Sequence, residues 1–174
     1  MLHIVYGGSA SGKSSYAESF AMSLQGDGRL LYIATMYPYK WNTTEIDPET
    51  MQRIKRHRAM RADQGFDTVE CYRHVEHIVA KRQDVLLLEC MSNLLANEMY
   101  LEPDADAGSD AEKTGIGGNA SSGMSETLSP VSKKIVQALV DLSTRVQDLV
   151  IVTNDVFSDG GSLTYDESTR EYVK

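Results

Sequence analysis

Short apolar runs alternate with longer amphipathic stretches along the whole chain. The apolar runs are LHIVY, RLLYIA, DTVECY, DVLLLEC and DLVIVTN, which begin at residues 2, 29, 67, 84 and 148. Runs of about four to eight apolar residues are typical of strands buried on both faces. The pattern therefore predicts an α/β fold, a mostly parallel sheet with helices on both faces, in which ligands bind beyond the carboxyl ends of the strands.

The stretches between the apolar runs are predicted to be helices. The first, SSYAESFAMSL, places Tyr16, Phe20 and Leu24 on one helical face. Another begins near Asp47, a good N-cap, followed by Pro48, which suits a first helical turn. Further helices are predicted near 73–83, over 92–100 and 130–146, and from about Tyr165.

Size and composition predict a single domain over residues 1–174. The chain is 41% hydrophobic and 24% charged, enough to bury one substantial core. Residues 102–129 differ, because they hold six acids, one lysine, five glycines and five serines. Such a segment cannot bury enough apolar surface to offset the entropy of ordering, so we predict a mobile surface insertion there. It also carries most of the formal net charge of −8, so the folded body is only mildly acidic.

The same composition argues against several classes of protein. No basic stripe of the kind that binds nucleic acid is present. No apolar stretch approaches the ~20 residues that span a bilayer, and the N-terminus does not resemble a signal peptide, so a cytoplasmic protein is expected. Cys71 and Cys90 are far apart and form no metal-binding pair, which predicts reduced thiols.

The strongest chemical signal is the segment GGSASGKS, which fits the phosphate-binding pattern G-x-x-x-x-G-K-S between a strand and a helix. Backbone amides of such a loop surround the phosphates, and a helix beginning at Ser14 directs its dipole at them. Lys13 adds a positive charge between the β- and γ-phosphates, and the Ser14 hydroxyl is a ligand for Mg²⁺. The predicted nucleotide-binding residues here are Gly7, Gly8, Ser9, Ala10, Ser11, Gly12, Lys13 and Ser14.

Two further features point to the same chemistry. Glu89 ends the apolar run DVLLLE, where a phosphate-loop protein places the carboxylate that holds Mg²⁺. In RIKRHRAMR, residues 53–61, a helix would put Arg53, His57 and Arg61 on one face. Flanking cations disfavour protonation of His57 and attract phosphate, so a neutral imidazole beside a nucleotide is a possible nucleophile; a plain solvated helix face is the alternative.

The blocks GGSASGKS, YIAT, RIKRHRAMR, LLLEC and TNDV, in this order, resemble the bifunctional adenosylcobinamide kinase/adenosylcobinamide-phosphate guanylyltransferase family of cobalamin biosynthesis. The similarity covers residues 1–100 and about 130–174, and its most specific block is the histidine helix. It implies a RecA-like phosphate-loop fold, dependence on Mg²⁺ and a homo-oligomer. In the family, the histidine that corresponds to His57 becomes guanylylated.

The resemblance implies two reactions. The kinase step transfers the γ-phosphoryl group of a nucleoside triphosphate, ATP or GTP, to adenosylcobinamide. The second step moves GMP from GTP through His57 to adenosylcobinamide phosphate, giving adenosylcobinamide-GDP. His57 and Lys13 would then be catalytic, Arg53 and Arg61 would bind nucleotide phosphates, and Ser14 and Glu89 would hold Mg²⁺. The residues alone leave two alternatives open, a simple phosphate-loop kinase and an inactive nucleotide-binding remnant.

The chain also departs from the family pattern. Glu89 replaces an aspartate, Phe66 stands near the position of a tryptophan, and Phe157 replaces a glycine. The ending REYVK falls inside a predicted helix, whereas family members continue with a final strand. We therefore expect the C-terminal part of the fold to be missing, with apolar surface exposed and low stability as a result.

Overall fold

The computed structural model describes residues 1–8, 10–101 and 129–154. The strands are β1 (Leu2–Gly7), β2 (Leu30–Ala34), β3 (Asp67–Glu70), β4 (Val85–Glu89) and β5 (Asp148–Asn154). The helices are α1 (Lys13–Leu24), α2 (Pro48–Arg61), α3 (Met91–Tyr100) and α4 (Pro130–Arg145), with a 3₁₀ turn at Val75–His77.

All five strands form one parallel sheet in the order β1-β5-β4-β2-β3. The register places Ala34 of β2 beside Glu89 of β4, and Glu89 beside Val152 of β5. The carboxyl ends of the three central strands therefore lie at one edge of the sheet. This arrangement confirms the predicted parallel α/β fold and brings Glu89 to the edge where ligands of such sheets bind.

Alternate residues of the central strands enter two separate cores. Leu31, Leu86 and Leu149 face α3, α4 and the 3₁₀ turn. Leu30 and Leu87 face the opposite side, which α1 covers. Because successive side chains of a strand point to opposite faces, continuous apolar runs such as VLLL supply both cores. Helices on both faces are thus confirmed.

The predicted start of α2 is confirmed. The Asp47 side chain accepts a hydrogen bond from the backbone N–H of Thr50 at 3.3 Å, and Pro48 occupies the first turn. This cap satisfies one of the amides that a helix leaves without an internal partner. It fixes where α2 begins and therefore which of its residues face the carboxyl end of the sheet.

Tyr16 and Phe20 share one face of α1, as the sequence predicts, but a different face of the helix is buried. Ala17 and Ala21 are fully buried, whereas Tyr16 is exposed and stacks on Phe20 at a ring-centroid distance of 6.1 Å. Small alanine side chains let the helix approach the sheet closely, so the large residues lie beside the contact and not within it. Phe20 and Leu24 are partly buried at the margin of that core.

The prediction of a helix near 73–83 is wrong, because only the 3₁₀ turn Val75–His77 is helical there. The His74 N–H donates to a carboxylate oxygen of Glu98 at 2.6 Å, and His74 has a left-handed backbone with φ of 56°. Val75 and Ile78 are buried in the α4 core, so packing against α4 replaces the regular helix.

Several expectations lie outside the described residues. They concern the predicted insertion at 102–129, of which only Ser129 is described, and also Phe157, the helix from about Tyr165 and the ending REYVK. Within the described ranges, no helix is both long and apolar enough to cross a bilayer. Both cysteines are free thiols, as the sequence predicts.

Candidate functional site

The glycine-rich loop follows β1 directly and leads into α1. Gly12 precedes the first residue of α1 with φ of 80°, in the left-handed region that glycine adopts without strain. The Ser11 N–H donates to the Gly8 carbonyl at 3.4 Å, which curls the loop. A Cβ added at Gly8 would meet no described atom within 4 Å, so the loop leaves open space above it. Ser9 lies outside the described residues.

The two polar side chains at the start of α1 turn in different directions. Lys13 Nζ donates to the Gly8 carbonyl at 3.0 Å, so its ammonium lies across the loop. The Ser14 hydroxyl donates to Oε1 of Glu89 at the end of β4. Lys13, Ser14 and Glu89 line one cavity, as the sequence predicts for a phosphate loop.

Glu89 is held by hydroxyl groups on both of its oxygens. Ser14 contacts Oε1, and the Tyr32 hydroxyl donates to Oε2 at 3.1 Å. Burial, followed by the nearby charge of Glu89, raises the pKa of Tyr32, so this phenol stays protonated and donates. Hydroxyl and carboxylate oxygens are the hard donors that Mg²⁺ prefers, so Ser14 and Glu89 fit the metal role predicted for them.

The cavity beside this carboxylate has a volume of 390 Å³ and is closed on one side by α2. Arg53, His57 and Arg61 all line it, and their spacing of four residues within α2 puts them on one helical face. Their exposure decreases along the helix, from exposed Arg53 through half-buried His57 to buried Arg61. The structure therefore joins the phosphate loop, Glu89 and the histidine helix in a single site.

The surroundings of His57 keep its imidazole neutral near pH 7. Burial is the largest cause that lowers the pKa of His57 from its ordinary value of 6.5. The charge of Glu89 opposes this shift, while Arg61, Arg56 and Arg53 add to it. The direction agrees with the sequence-based expectation, but desolvation contributes more than any single arginine among those on which that expectation rested.

Arg61 lies deeper than the sequence suggests. Its side chain is buried, with only 5% of the residue exposed, and Cζ lies 3.4 Å from the centroid of the Tyr32 ring. This geometry is a cation–π contact. Among the described residues, Nε and Nη1 of Arg61 have no hydrogen-bond partner. The guanidinium thus brings positive charge to the wall of the site while two of its donors stay unsatisfied.

Sequence reasoning missed Tyr32, which lines the cavity, and Glu18, a buried acid whose charge interacts with Glu89 and Arg61 of the site. Glu18 is buried in α1, and its pKa is raised by burial and by Glu89, with Arg61 and a hydrogen bond from Gln64 acting in the opposite direction. One signal was available, since Ser14 and Glu18 are four residues apart and share a helical face. For Tyr32 the signal was a polar group inside an apolar strand.

A second group of potential metal ligands lies away from the cavity. Side-chain ligand atoms of His74, Glu76 and Glu98 are within 4.8 Å of one another. The Lys134 ammonium lies 3.3 Å from His74 Nδ1 and 3.4 Å from Glu76 Oε1. Because a side-chain cation already neutralises these groups, we assign no metal there.

A parallel α/β sheet, a G-x-x-x-x-G-K-S loop after its first strand and a carboxylate facing that loop define a phosphate-loop protein of the nucleoside-triphosphate-binding class. Within this class, the chain belongs to the family described as cobinamide kinase / cobinamide phosphate guanyltransferase, whose profile matches residues 3–174. The family expected from the sequence blocks is thereby confirmed.

Two curated proteins are similar to the chain. Both are bifunctional adenosylcobalamin biosynthesis proteins CobU, one from Salmonella typhimurium (strain LT2) and one from Escherichia coli (strain K12). Each is 34% identical over 104 residues, which cover 58% of this chain and 51% of the relative. The chain thus spans about half the length of the curated relatives it matches.

Proposed function

We propose that this protein phosphorylates adenosylcobinamide and then transfers GMP from GTP to adenosylcobinamide phosphate, as a step of cobalamin biosynthesis. The observation that carries the proposal is that one cavity of 390 Å³ contains both the phosphate-loop lysine and His57. A simple kinase needs the phosphate loop but has no use for a half-buried neutral imidazole beside it. The family match to residues 3–174 supports the same two activities.

In the kinase step, the loop from Gly7 to Ser14 holds the β- and γ-phosphates of ATP or GTP. Lys13 leaves the Gly8 carbonyl and neutralises the charge between these phosphates. Arg53, the most exposed cation of the α2 face, contacts phosphate oxygens from the other side of the cavity. Catalysis is then mainly positioning and charge neutralisation, since the attacking hydroxyl comes from the corrinoid.

Ser14 and Glu89 are the residues that would hold Mg²⁺ in this site. Their oxygens already lie in contact, and the Tyr32 hydroxyl fixes the second carboxylate oxygen. When bound, the ion supplies positive charge at the phosphates. Glutamate in place of the family's aspartate preserves the donor type.

In the transfer step, the neutral imidazole of His57 attacks the α-phosphorus of GTP. A P–N bond forms, the P–O bond to pyrophosphate breaks, and GMP stays on the enzyme as a phosphoramidate. A phosphate oxygen of adenosylcobinamide phosphate then attacks the same phosphorus, the P–N bond breaks and adenosylcobinamide-GDP leaves. Arg53 and Arg61 offset the negative charge on these phosphates during both exchanges.

Label transfer from GTP tests the proposal directly. The parent, His57→Ala and a matched control, His77→Ala, are incubated with Mg²⁺ and GTP labelled at the α-phosphate. His77 lies outside the 390 Å³ cavity, so it controls for the loss of any histidine. We expect protein-bound label that is stable to base and lost in acid on the parent and on His77→Ala, and none on His57→Ala.

The other outcomes separate the alternatives. Equal label on His57→Ala would overturn the histidine intermediate. Transfer of γ-phosphate to adenosylcobinamide without bound GMP would indicate the simple kinase, and nucleotide binding without either transfer would indicate the remnant. A cytoplasmic location and a homo-oligomeric state belong to the same proposal and rest on the sequence and the family.

A further inference from the structure

Five aromatic side chains form a continuous surface beside the cavity, which we term the aromatic shelf. They are Tyr37, Tyr39, Trp41, Tyr72 and Tyr100. The Tyr37 ring lies 5.4 Å from Tyr39 and 5.4 Å from Tyr72 between centroids. Trp41 lies 6.5 Å from Tyr37 and 6.2 Å from Tyr100. The shelf therefore joins the β2–α2 connection to the ends of β3 and α3.

Much of the shelf is open to solvent. Tyr39 is 38% exposed, Tyr100 39% and Trp41 53%. The segment that carries the first rings is ordered by backbone pairing, because the Lys40 N–H donates to the Glu45 carbonyl at 2.9 Å and Tyr39 bridges Ile46. A cluster of exposed rings on an ordered segment contributes little to the core and is typical of a binding surface.

The aromatic shelf begins where the catalytic cavity ends. A groove of 310 Å³ runs along Tyr37, Tyr39 and Trp41. Met36, Arg53 and Asn93 line this groove and also line the cavity around His57. Tyr72 borders the same cavity. The shelf thus adjoins the reaction site.

We propose that the aromatic shelf binds the corrin macrocycle of adenosylcobinamide. This inference rests on the proposed function, in which the nucleotide occupies the phosphate loop and the second substrate must bring its hydroxyl or phosphate to the same cavity. The shelf is continuous with that cavity through Met36, Arg53 and Asn93. The groove of 310 Å³ is too small to enclose a macrocycle, so the conjugated ring system lies across the aromatic faces.

Two of the charged groups beside the shelf already have partners within the protein. The Lys40 ammonium is paired with the Glu45 carboxylate at 2.6 Å. Asp47 is engaged by the amide and hydroxyl of Thr50 at the start of α2. What remains open is mainly aromatic surface, with Arg53 at its border with the cavity. Such a surface suits the large, amide-rimmed macrocycle better than it suits a nucleic acid or a highly charged protein.

Equilibrium dialysis with adenosylcobinamide tests the assignment through Trp41, the single tryptophan of the chain. We expect Trp41→Ala to weaken the Kd about tenfold and Trp41→Phe to restore most of the affinity, because one stacked ring is lost and then replaced. Tyr16→Ala is the matched control, since Tyr16 is an exposed aromatic residue on α1 and lies outside the shelf. Its Kd should stay within about twofold of the parent value.

Label transfer from GTP is measured on the same variants, because it does not require the corrinoid. Label on Trp41→Ala equal to that on the parent, together with the weaker Kd, supports the shelf. Normal label with an unchanged Kd overturns the shelf and leaves the proposed function standing. A labelled parent that binds no corrinoid overturns the shelf and also the corrinoid substrate of the proposed function, while the guanylylation of His57 stands. A parent that takes up no label refutes the proposed transfer step, and the shelf proposal, which rests on that function, falls with it. A change in sedimentation of Trp41→Ala with no change in Kd would assign the shelf to contact between copies and would also overturn the proposal.

Discussion

At the scale of single residues, neighbouring groups shift the pKa of the His57 imidazole in opposite directions. Burial and three arginines lower the pKa of His57, while Glu89 raises it. Because Glu89 also accepts hydrogen bonds from Ser14 and Tyr32, its charge is fixed close to the cavity. The pKa of His57 therefore depends on the same residue that we propose as a ligand of Mg²⁺.

This balance predicts how the transfer step depends on pH. We expect NMR titration of the nucleotide-free protein to give a pKa for His57 below 6.5, and Glu89→Gln to lower that pKa further. The rate of label incorporation should be constant above 6.5 and fall as pH decreases through the measured pKa, since protonation removes the nucleophilic lone pair. The His57 resonance is identified by its absence from the spectrum of His57→Ala. A pKa of His57 at or above 6.5 would contradict the prediction.

The lowered pKa of His57 also makes the stability of the folded protein depend on pH. The folded state holds His57 with a pKa below its unfolded value of 6.5, so protonation favours the unfolded chain. The contribution of neutral His57 is fully present above 6.5 and is lost as pH falls through the lowered pKa. The neutral imidazole that the proposed transfer step requires is therefore also the form that favours the folded state.

At the scale of elements, a buried polar network fixes the ends of the strands around the cavity. The Thr35 hydroxyl, just after β2, donates to the Cys90 carbonyl at 3.0 Å and accepts from the Cys90 N–H at 2.7 Å. Asn97 of α3 donates to the backbone carbonyls of Thr35 and Tyr72 at 2.8 and 2.9 Å. The network thus holds the ends of β2, β3 and β4 against α3.

Removing the amide of Asn97 tests this element-scale role. Asn97→Ala leaves one buried and one partly buried carbonyl without that donor, and we expect the free energy of unfolding to fall by about 2–3 kcal/mol. Gln137→Ala, on the exposed face of α4, is the control and should change it by less than about 0.5 kcal/mol. Urea unfolding followed by circular dichroism measures both values. A loss for Asn97→Ala as small as that of the control would show that the network does not stabilise these strand ends.

An element could be predicted when the residues that determine its structure lie within its own segment of the sequence. The start of α2 was predictable because Asp47, Pro48 and the spacing of Arg53, His57 and Arg61 all lie within one segment. The stretch 73–83 was not, because its conformation depends on Glu98 and on packing against α4, both distant in sequence. Local propensity yields to tertiary contacts in such a segment.

At the scale of the whole molecule, the sequence predicted the sheet and the phosphate loop but not the contacts made across strands. Continuous apolar runs were enough to indicate a parallel sheet. The contact of Tyr32 with Glu89 depends on the register that sets β2 beside β4, and a single sequence does not contain that register. For the same reason, the sequence indicates a phosphate-binding role for Arg61 but does not predict its contact with the Tyr32 ring.

The edge of the sheet gives the last prediction. Leu2, Ile4 and Tyr6 of β1 point to the α4 face and are 38%, 66% and 59% exposed. Within the described ranges, β1 pairs with β5 and has no strand on its other side. An exposed apolar edge strand is a site for association between chains. We therefore expect the protein to self-associate as its concentration rises.

Ile4→Lys should weaken this self-association, because an exposed lysine on an edge strand opposes pairing with another chain. Sedimentation velocity over a range of concentrations would show a shift toward the monomer for Ile4→Lys. Val79→Lys is the matched control, since Val79 is also highly exposed but lies beyond the 3₁₀ turn, away from β1. An identical distribution for the parent and Ile4→Lys would exclude β1 as the contact. A shift with Val79→Lys as well would mean that added charge alone, and not the edge strand, controls association.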